Sequence, residues 1–318
     1  MQFKFLKTAM QKAKYLGEYL VFRAIMLFVR VCGIGVFRII LLLLFFLFGF
    51  VLYPKLKKRL RLARYNLSLI DANAEFKTMR FIRSFVRFLE AFAEITVYKQ
   101  NVFKKPKFNL VMHGGEVLQR LKDEGRGCII VSFHYGNWEL APMYFQKTFG
   151  MTNYFIYKEQ KNKLIDNSIK NARMGLPNVL PLKKGAKDIA SIPNITKAGG
   201  SVCVLIDQKQ HFGSEPVSLF GKQVKIGFTI QKIAIKHNIP IVPVFCFLDR
   251  GGDKTRYSMY IHEPILASEP VTKDNLTTLT QQATQQIADI ASKHIKHDPY
   301  QWFCLIHRLF GNPPQNFK

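Results

Sequence analysis

The residues best suited to chemistry stand together in one octapeptide, Ser132-Phe133-His134-Tyr135-Gly136-Asn137-Trp138-Glu139. Within it, a carboxylate follows a histidine at the fifth position after it. An imidazole that is oriented by a carboxylate can take a proton from an alcohol, and no protein nucleophile is then required. The pair His134 and Glu139 is therefore our first candidate for a catalytic centre.

The spacing of this pair constrains its geometry. On one regular helix the two side chains would point about 140° apart and would not meet easily. They meet if His134 lies in a strand-to-helix turn and Glu139 in the first turn of the helix, where the carboxylate binds Nδ1 and leaves Nε2 as the base. The alternative is a helix N-terminus whose glutamate favours the dipole, with His134 hydrogen-bonded in the core. A zinc pair is disfavoured because no suitable third ligand lies nearby in the sequence.

Short apolar runs alternate with helical stretches from about residue 109 onward. The predicted strands are 127–133, 153–157, 201–206, 241–248 and 256–261, and the predicted helices are 116–124, 138–149, 161–174, 228–237 and 274–295. Runs such as IIVSF and VPVFCF are apolar on both faces, which is typical of strands covered on both sides. We predict an α/β fold with a mostly parallel sheet flanked by helices, and such sheets bind ligands at the carboxyl ends of their strands.

The N-terminal third predicts a membrane anchor. Residues 31–53 carry a single charge, Arg38, and residues 39–53 form an unbroken apolar run; a membrane span needs about twenty such residues. A basic cluster, not a small-residue cleavage site, follows this run. Both flanks are basic, which suits either a span or a helix pair dipping into an anionic membrane face. Residues 76–95 predict an amphipathic helix. Because the pattern changes after these segments, we divide the chain into an anchor region with amphipathic helices, 1–108, and an α/β domain, 109–318.

Composition limits the possible partners. The 318 residues include 47 Lys and Arg against 21 Asp and Glu, a net charge of +26, and apolar residues make up 48%, which excludes a mainly disordered chain. Residues 1–107 alone carry 21 basic and 5 acidic side chains, a balance of +16. The expected partners are anionic: a membrane surface, phosphates, an acidic protein or nucleic acid. The five cysteines form no C-x2-C pair, which predicts free thiols in a reducing compartment.

Several motifs together carry a family resemblance. HYGNWE resembles the H-x4-E/D signature of the lysophospholipid and glycerophosphate acyltransferase superfamily, and nearly the whole chain resembles the lipid A biosynthesis acyltransferases, the late lauroyl- and myristoyl-type enzymes of Gram-negative bacteria. The supporting segments are KNARMG, LIDQKQ, GFTIQKIAIKHNIPIVPVF and the C-terminal IHRLF, which is similar to the family's closing HRRF. The chain departs from the family at Tyr157-Lys158-Glu159, where Tyr-Arg-Pro is usual. Lysine keeps the charge there but loses the bidentate fork of arginine.

The resemblance implies transfer of a fatty acyl chain from acyl carrier protein to a hydroxyl of a phosphorylated glycolipid, a Kdo-lipid A precursor, at the cytoplasmic side of the bacterial inner membrane. It implies no cofactor, metal or nucleic acid, and a glycerophosphate-acyltransferase-like fold. The implied catalytic residues are His134 and Glu139. The candidate substrate-binding residues are Arg173, Asp207, Asn137, Lys158 and Gln208. Backbone N–H groups near Gly136 and Asn137 are candidate donors to the oxyanion of the transition state.

Some of these assignments stay open at this point. Arg173 pairs either with a lipid phosphate or with a carboxylate such as Asp166. Asp207 holds Arg173, binds a substrate hydroxyl or is a plain turn residue. A basic run, Lys183, Lys184 and Lys187, meets carrier protein or lipid head groups, or is simply solvated.

Other functions compete with this interpretation. The acceptor could instead be an ornithine lipid or a lysophospholipid. The charge also suits a membrane-tethered nucleic-acid-binding protein, although the sequence shows no zinc-finger, RNA-recognition or helix-turn-helix motif. A hydrolase would use water as the acceptor, but G-x-S-x-G is missing from the sequence. A non-catalytic scaffold would leave the His134–Glu139 pair unexplained.

Overall fold

A computed structural model describes residues 2–98, 109–208, 215–249 and 256–317. The chain has the predicted α/β fold, with a mostly parallel seven-stranded sheet flanked by helices and a long N-terminal apolar helix. The strands are β1 (Asn109–His113), β2 (Ile129–Ser132), β3 (Asn153–Tyr157), β4 (Val179–Lys183), β5 (Ser201–Leu205), β6 (Val217–Leu219), β7 (Lys222–Val224), β8 (Ile241–Asp249) and β9 (Arg256–Ile261). The proposed domain boundary at residue 108 lies outside the described residues.

Nine α-helices are present in the described ranges. They are α1 (Gln2–Ile70), α2 (Thr78–Tyr98), α3 (Gly115–Asp123), α4 (Leu140–Phe149), α5 (Lys163–Arg173), α6 (Ala186–Ile189), α7 (Ile192–Lys197), α8 (Thr229–Lys236) and α9 (Leu276–His297). Two short 3-10 helices, Pro299–Gln301 and Phe303–Ile306, follow α9.

The sheet has the strand order β1-β9-β8-β2-β5-β3-β4. Within these seven strands β8 and β9 pair antiparallel, and the other neighbours are parallel. The central strand β2 pairs with β5 on one side, with Ser132 opposite Leu205, and with β8 on the other. All four residues of β2 are buried, as expected for a strand covered on both faces. The carboxyl ends of β2 and β5 therefore meet at one edge of the sheet.

The five predicted strands are present, and 153–157 and 256–261 match exactly in their bounds. The predicted helices correspond to α3, α4, α5, α8 and α9, displaced by one or two residues at their ends. The sequence did not predict β1, β4, the β6–β7 hairpin, α6 or α7. These elements are short, and β4 contains Pro181, a residue typical of the edge strand that β4 forms.

Helix α1 is bent near its middle. Gly33 has φ 83° and ψ 164°, a conformation that glycine adopts without a side-chain clash, and the helix continues on both sides of it. Met10–Leu47 is a segment long and apolar enough to cross a membrane, judged by length and composition. Along it, Leu42 and Phe45 pack on the core. Other apolar side chains there stay exposed, among them Ile39, Leu43, Leu44, Phe46 and Leu47.

The charge inside the apolar segment has a partner in the protein. The Nε of Arg38 donates to Oε1 of Glu90 on α2, and its Nη2 donates to Oε2 at 2.9 Å. Arg87 also donates to Glu90, at 3.2 Å. Glu90 is buried, so this pairing offsets the cost of placing both charges away from water.

The last part of α1 belongs to the main hydrophobic core. Ala63, Leu67 and Ile70 are buried in the same cluster as β2, β5, α8 and α9 residues. The side-chain amide of Asn66 donates to the carbonyls of Leu305 and His307 at 2.7 and 2.9 Å. Helix α1 and the α/β sheet thus share one core.

Candidate active site

His134 lies two residues past the end of β2, in the turn that leads to α4. Its Nδ1 is 2.5 Å from Oδ1 of Asp207, and its backbone N–H donates to Oδ2 of the same carboxylate at 3.0 Å. Asp207 is fully buried, whereas the side chain of His134 keeps 16% of its exposure. Asp207 therefore orients the imidazole through Nδ1, and Nε2 is the ring nitrogen that does not contact this carboxylate.

Strand register explains why these two residues meet. Ser132 of β2 is paired with Leu205 of β5, and the chain continues in parallel, with the N–H of Ile206 donating to the carbonyl of Ser132 at 3.1 Å. His134 and Asp207 each lie two residues beyond that pair. Two neighbouring parallel strands therefore bring His134 and Asp207 to the same edge of the sheet.

The predicted contact between Glu139 and Nδ1 of His134 is wrong. Glu139 was predicted in the first turn of the helix and is the residue just before α4, but its carboxylate faces Arg173 at the end of α5. Nε of Arg173 donates to Oε2 of Glu139 at 2.7 Å, and Nη2 donates to Oε1. A bidentate pair of this kind is strong and directional, and Asp207 already occupies Nδ1. Arg173 therefore pairs with Glu139 rather than with Asp166 or Asp207.

Asp166, the alternative partner of Arg173, has its own contacts. It accepts from the backbone N–H of Gln160 at 2.8 Å, and the ammonium of Lys170 lies 3.4 Å from its Oδ2. The open alternative for Asp207 is resolved in the same way, because its carboxylate faces His134 and not Arg173.

The electrostatics of the site favour a charged pair. Burial opposes the imidazolium, but the adjacent carboxylate of Asp207 outweighs it, so the pKa of His134 is raised above its ordinary value of 6.5. Burial likewise opposes ionisation of Asp207. The charge of His134 and the groups that donate hydrogen bonds to Asp207 nevertheless hold the pKa of this carboxyl below its ordinary value. Burial opposes the charge of Arg173, and Glu139 more than compensates, so the Arg173 pKa is raised. The site therefore holds two adjacent pairs of a basic and an acidic group, His134 with Asp207 and Arg173 with Glu139.

Gly136 permits the turn after His134. It has φ 61°, and a Cβ there would lie 2.2 Å from the carbonyl oxygen of Cys246. Its N–H donates to the carbonyl of Gln301 at 2.9 Å, and the N–H of Asn137 donates to the carbonyl of Cys246 at 2.8 Å. Both N–H groups are occupied by these carbonyls, which disfavours the two as candidate oxyanion donors.

Asn137 faces a different space from His134. Its side chain is 2% exposed and lines a small cavity of about 30 Å³ together with Ser84, Arg87 and Gln301. The structure therefore places Asn137 behind the catalytic turn, outside the larger cavity described next. Its predicted role as a substrate contact has no geometric support, because no side-chain atom of it reaches that larger space.

A cavity of about 450 Å³ adjoins His134. Its polar wall contains His134, Glu139 and Arg173, together with the exposed side chains of Lys158 and Gln208. Apolar residues line the remainder, including Ile130, Met143, Phe155, Val204, Ile206, Phe228 and Val244. An apolar space next to convergent polar groups suits a ligand with a hydrocarbon chain and a polar reacting end.

The basic run beside the cavity is divided in its contacts. Lys184 lines the cavity, whereas Lys183 pairs with Glu159 at 3.0 Å and Lys187 is exposed. Glu159 also pairs with Lys163, and these two hydrogen bonds lower the pKa of the Glu159 carboxyl to about 2.

Among the described residues, His134, Asp207 and Cys304 have donor atoms within 4.8 Å of one another. Hydrogen bonds account for this closeness, because Asp207 contacts both His134 and the Cys304 thiol. Burial and the nearby carboxylate raise the pKa of Cys304 well above its ordinary value, which keeps it a thiol and disfavours metal ligation. We interpret the cluster as a hydrogen-bond network. The five cysteines are free thiols, as the sequence predicted.

The sequence missed Trp302 and Cys304, which reach Asp207 from the C-terminal segment. The indole Nε1 of Trp302 donates to Oδ2 of Asp207 at 2.9 Å. Trp302 is one of two tryptophans in the chain and sits in a Gln-Trp-Phe run just before the IHRLF segment. That rarity was the only signal available from the sequence, since no spacing rule links it to residue 207.

A histidine–carboxylate pair at the carboxyl end of a central strand, beside a largely apolar cavity, is an arrangement suited to general-base chemistry on a ligand with a hydrocarbon chain. Residues 4–311 match the model of the bacterial lipid A biosynthesis acyltransferase family, and the chain belongs to that family. A comparison with curated proteins gave no significant match. Among solved structures, the 1-acyl-sn-glycerophosphate acyltransferase PlsC from Thermotoga maritima is similar at 18% identity and a TM-score of 0.38, over 81% of this chain and 97% of the other.

Proposed function

We propose that this protein transfers a fatty acyl chain from acyl carrier protein to a hydroxyl of a phosphorylated glycolipid, a lipid A precursor. The observation that carries the proposal is the His134–Asp207 pair beside the largely apolar cavity. Membership of the lipid A acyltransferase family supports the reaction type and the acceptor class.

In the proposed reaction, Nε2 of neutral His134 takes the proton of the acceptor hydroxyl as its oxygen attacks the thioester carbonyl carbon. Asp207 holds Nδ1–H and stabilises the imidazolium that forms. The tetrahedral intermediate then collapses, the carbon–sulfur bond breaks, and His134 returns the proton to the leaving thiolate. The products are an ester and a free thiol, and no acyl-enzyme forms.

Arg173 and Glu139 have a supporting part in this scheme. Glu139 fixes the guanidinium of Arg173 against the cavity wall, with Nε of Arg173 2.7 Å from Oε2 of Glu139. The positive charge of Arg173 then faces the region where the oxyanion and the lipid phosphate bring negative charge. The exposed Lys158 and Lys184 add to this charge on the same wall, and Gln208 offers an amide. Glu139 thus acts on the reaction through Arg173, not through His134.

The acyl chain occupies the apolar part of the cavity. Met143, Phe155, Val204 and Phe228 supply side chains without charge, which favour burial of a hydrocarbon chain by the hydrophobic effect. The excess of basic residues attracts both an acidic carrier protein and an anionic membrane over long range.

The protein lies on the cytoplasmic face of the inner membrane in this proposal, with α1 in one leaflet. Three parts of α1 contact the same folded unit. Asn162, at the start of α5, donates to the carbonyl of Tyr15 at 2.8 Å and to Glu18 at 3.1 Å. Arg38 binds Glu90, and Asn66 binds the C-terminal segment. A helix held to one domain before, within and after its apolar run keeps both ends on one side of the bilayer.

The test uses washed membranes from cells that express each variant. The acyl donor is acyl carrier protein with a labelled acyl chain, and the acceptor is a purified phosphorylated glycolipid. We expect His134→Ala to abolish transfer, because the general base is removed. His237→Ala, an exposed histidine at the end of α8, is the matched control and should keep the wild-type rate. Wild-type transfer by His134→Ala would contradict the assignment. Free fatty acid as the only product would indicate a hydrolase, and a preference for a lysophospholipid would replace the acceptor.

A further inference from the structure

The C-terminal segment runs alongside the catalytic turn. The N–H of Phe303 donates to the carbonyl of His134 at 2.8 Å, and the N–H of Gly136 donates to the carbonyl of Gln301 at 2.9 Å. Tyr135 and Trp302 lie opposite each other as an antiparallel bridge. Residues 301–303 therefore add a short strand-like edge to the turn that carries the base.

This segment is itself tied to the sheet. The side chain of Gln301 accepts from the N–H of Leu248 and donates to the carbonyl of Leu248, both at 2.8 Å, and it also donates to Asp298 at 3.1 Å. Gln301 is 7% exposed. These bonds fix the position of Trp302 relative to β8, because they hold the residue just before it.

The turn that carries His134 and the C-terminal segment both contact the carboxylate of Asp207. One oxygen, Oδ2, accepts from the backbone N–H of His134 at 3.0 Å and from the indole of Trp302 at 2.9 Å. The other oxygen, Oδ1, is then directed at Nδ1 of His134. Trp302 is 1% exposed and Asp207 is fully buried, so neither group can exchange its partner for water.

We propose that Trp302 is a positioning residue: its indole N–H fixes the plane of the Asp207 carboxylate, and Asp207 in turn holds His134 in place. The segment 301–304, with Cys304 as a second donor, serves as a brace for the base. This inference rests on the proposed function only for its kinetic consequences. The arrangement of the three side chains can be tested without any substrate.

The groups facing His134 must be known before its titration can be interpreted. They are Asp207 from the end of β5, Glu139 before α4, Arg173 from α5, and Cys304 and His307 from the C-terminal segment. Replacement of Trp302 changes none of these charges. A shift in the titration of His134 therefore reports on the carboxylate that Trp302 contacts.

The principal variant is Trp302→Phe, which keeps an aromatic ring and removes the N–H donor. We expect kcat to fall about tenfold or more with KM little changed, as for loss of a hydrogen bond to a charged group. With one donor fewer, the carboxylate concentrates its charge on the imidazolium, so the acid limb of kcat/KM should move to higher pH. Phe310→Leu alters a ring whose centroid lies 6.1 Å from that of Trp302 but keeps the indole N–H donor, so it should leave that limb in place.

A second measurement separates failure of the brace from failure of the proposed function. Diethylpyrocarbonate reacts with neutral imidazole, and mass spectrometry of the His134 peptide at several pH values gives its pKa without acyl donor or acceptor. We expect the same upward shift in Trp302→Phe. An unchanged pKa of His134 would overturn the brace, whatever the reaction is.

Should Trp302→Phe fail to fold, Cys304 provides a milder test. Cys304→Ala removes the thiol donor to Asp207, whereas Cys304→Ser retains a donor of similar size. We expect Cys304→Ala to shift the His134 profile upward and Cys304→Ser to restore it. Identical profiles for the two variants would count against the brace.

Discussion

His134 and Asp207 are joined by two contacts, one from the backbone N–H and one from Nδ1, to the two oxygens of a single carboxylate. This double contact fixes both the position of the turn and the orientation of the ring. Glu139, which lies closer in sequence, instead binds Arg173. Because Asp207 contacts His134 and Glu139 contacts Arg173, replacement of either carboxylate should change activity in its own way.

Removal of the Asp207 charge should be severe. Asp207→Asn keeps the shape of the side chain but cannot stabilise the imidazolium, so we expect kcat to fall by about a thousandfold to ten-thousandfold. The pKa of His134 should fall as well, which moves the acid limb of kcat/KM to lower pH. Steady-state assays across pH check both effects. Asp274→Asn, an exposed aspartate before α9, is the control, and near-normal activity of Asp207→Asn would exclude the pair.

The wild-type pH profile should report the raised pKa of His134. The base accepts a proton only when neutral, so kcat/KM falls as the pH drops through that pKa. Because Asp207 raises it, the half-maximal point on the acid side should lie above 6.5, the ordinary value for histidine. A pH titration of kcat/KM with saturating acyl donor measures it. An acid limb below 6.5 would mean that another group controls the rate.

Glu139 and Arg173 should behave as one unit. Their side chains are 13% and 26% exposed, and we expect a coupling energy of about 0.5–3 kcal/mol in a double-mutant cycle of Glu139→Gln and Arg173→Gln. Each single variant should lose activity to a similar degree, with little further loss in the double variant. Unfolding by urea and initial rates supply the two sets of values. The exposed pair Glu159 and Lys163 is the control and should couple more weakly, because solvent screens it.

The contacts of α1 predict that both of its ends face the cytoplasm. In a variant with Cys32→Ser, Lys12→Cys or Lys58→Cys places one exposed cysteine before or after the apolar residues 31–53. A membrane-impermeant maleimide should label neither position in intact spheroplasts and both in inverted vesicles. The four other cysteines have low reactivity because three are buried and the fourth is partly buried. Labelling at residue 12 alone in spheroplasts would establish a membrane span.

Gly136 should tolerate no side chain. Gly136→Ala would place Cβ against the Cys246 carbonyl and the Phe247 backbone, and its positive φ adds strain. We expect the melting temperature to fall strongly and transfer to disappear. Gly125→Ala is the control: its φ is 66°, but nothing lies within 4 Å of the added Cβ, so only the strain of about 1–2 kcal/mol remains. Equal melting temperatures for the two variants would contradict the close packing of the turn.

The sequence was sufficient for the fold class and for the position of His134, because the buried strands β2 and β8 are continuous apolar runs. It also predicted strands ending near residues 133 and 206. What it could not supply was that these two strands are neighbours, since the order β8-β2-β5 is a property of the whole sheet. Without that neighbour relation, Asp207 had no reason to be assigned to His134, and Glu139 was chosen by its nearness in sequence.

The brace and the charge pairs were hidden for a related reason. Trp302 follows Asp207 by almost a hundred residues, and local periodicity carries no information about such contacts. The sequence showed Arg38 only as the single charge of residues 31–53; the structure gives it Glu90 as a partner, 52 positions away. Long-range polar contacts depend on topology, whereas helix and strand positions follow from local pattern.

The shared core of α1 and the sheet has a practical consequence for protein production. Arg61 donates to the carbonyls of Pro314, Gln315 and Phe317, and Ala63, Leu67 and Ile70 fill the interior beneath. A truncated version that begins after residue 70 would expose this apolar surface to solvent. It would also remove the hydrogen bonds from Arg61 to the C-terminal residues. A detergent-free version of the enzyme must therefore replace exposed apolar residues such as Leu43 and Phe46 one by one, and keep the helix that bears them.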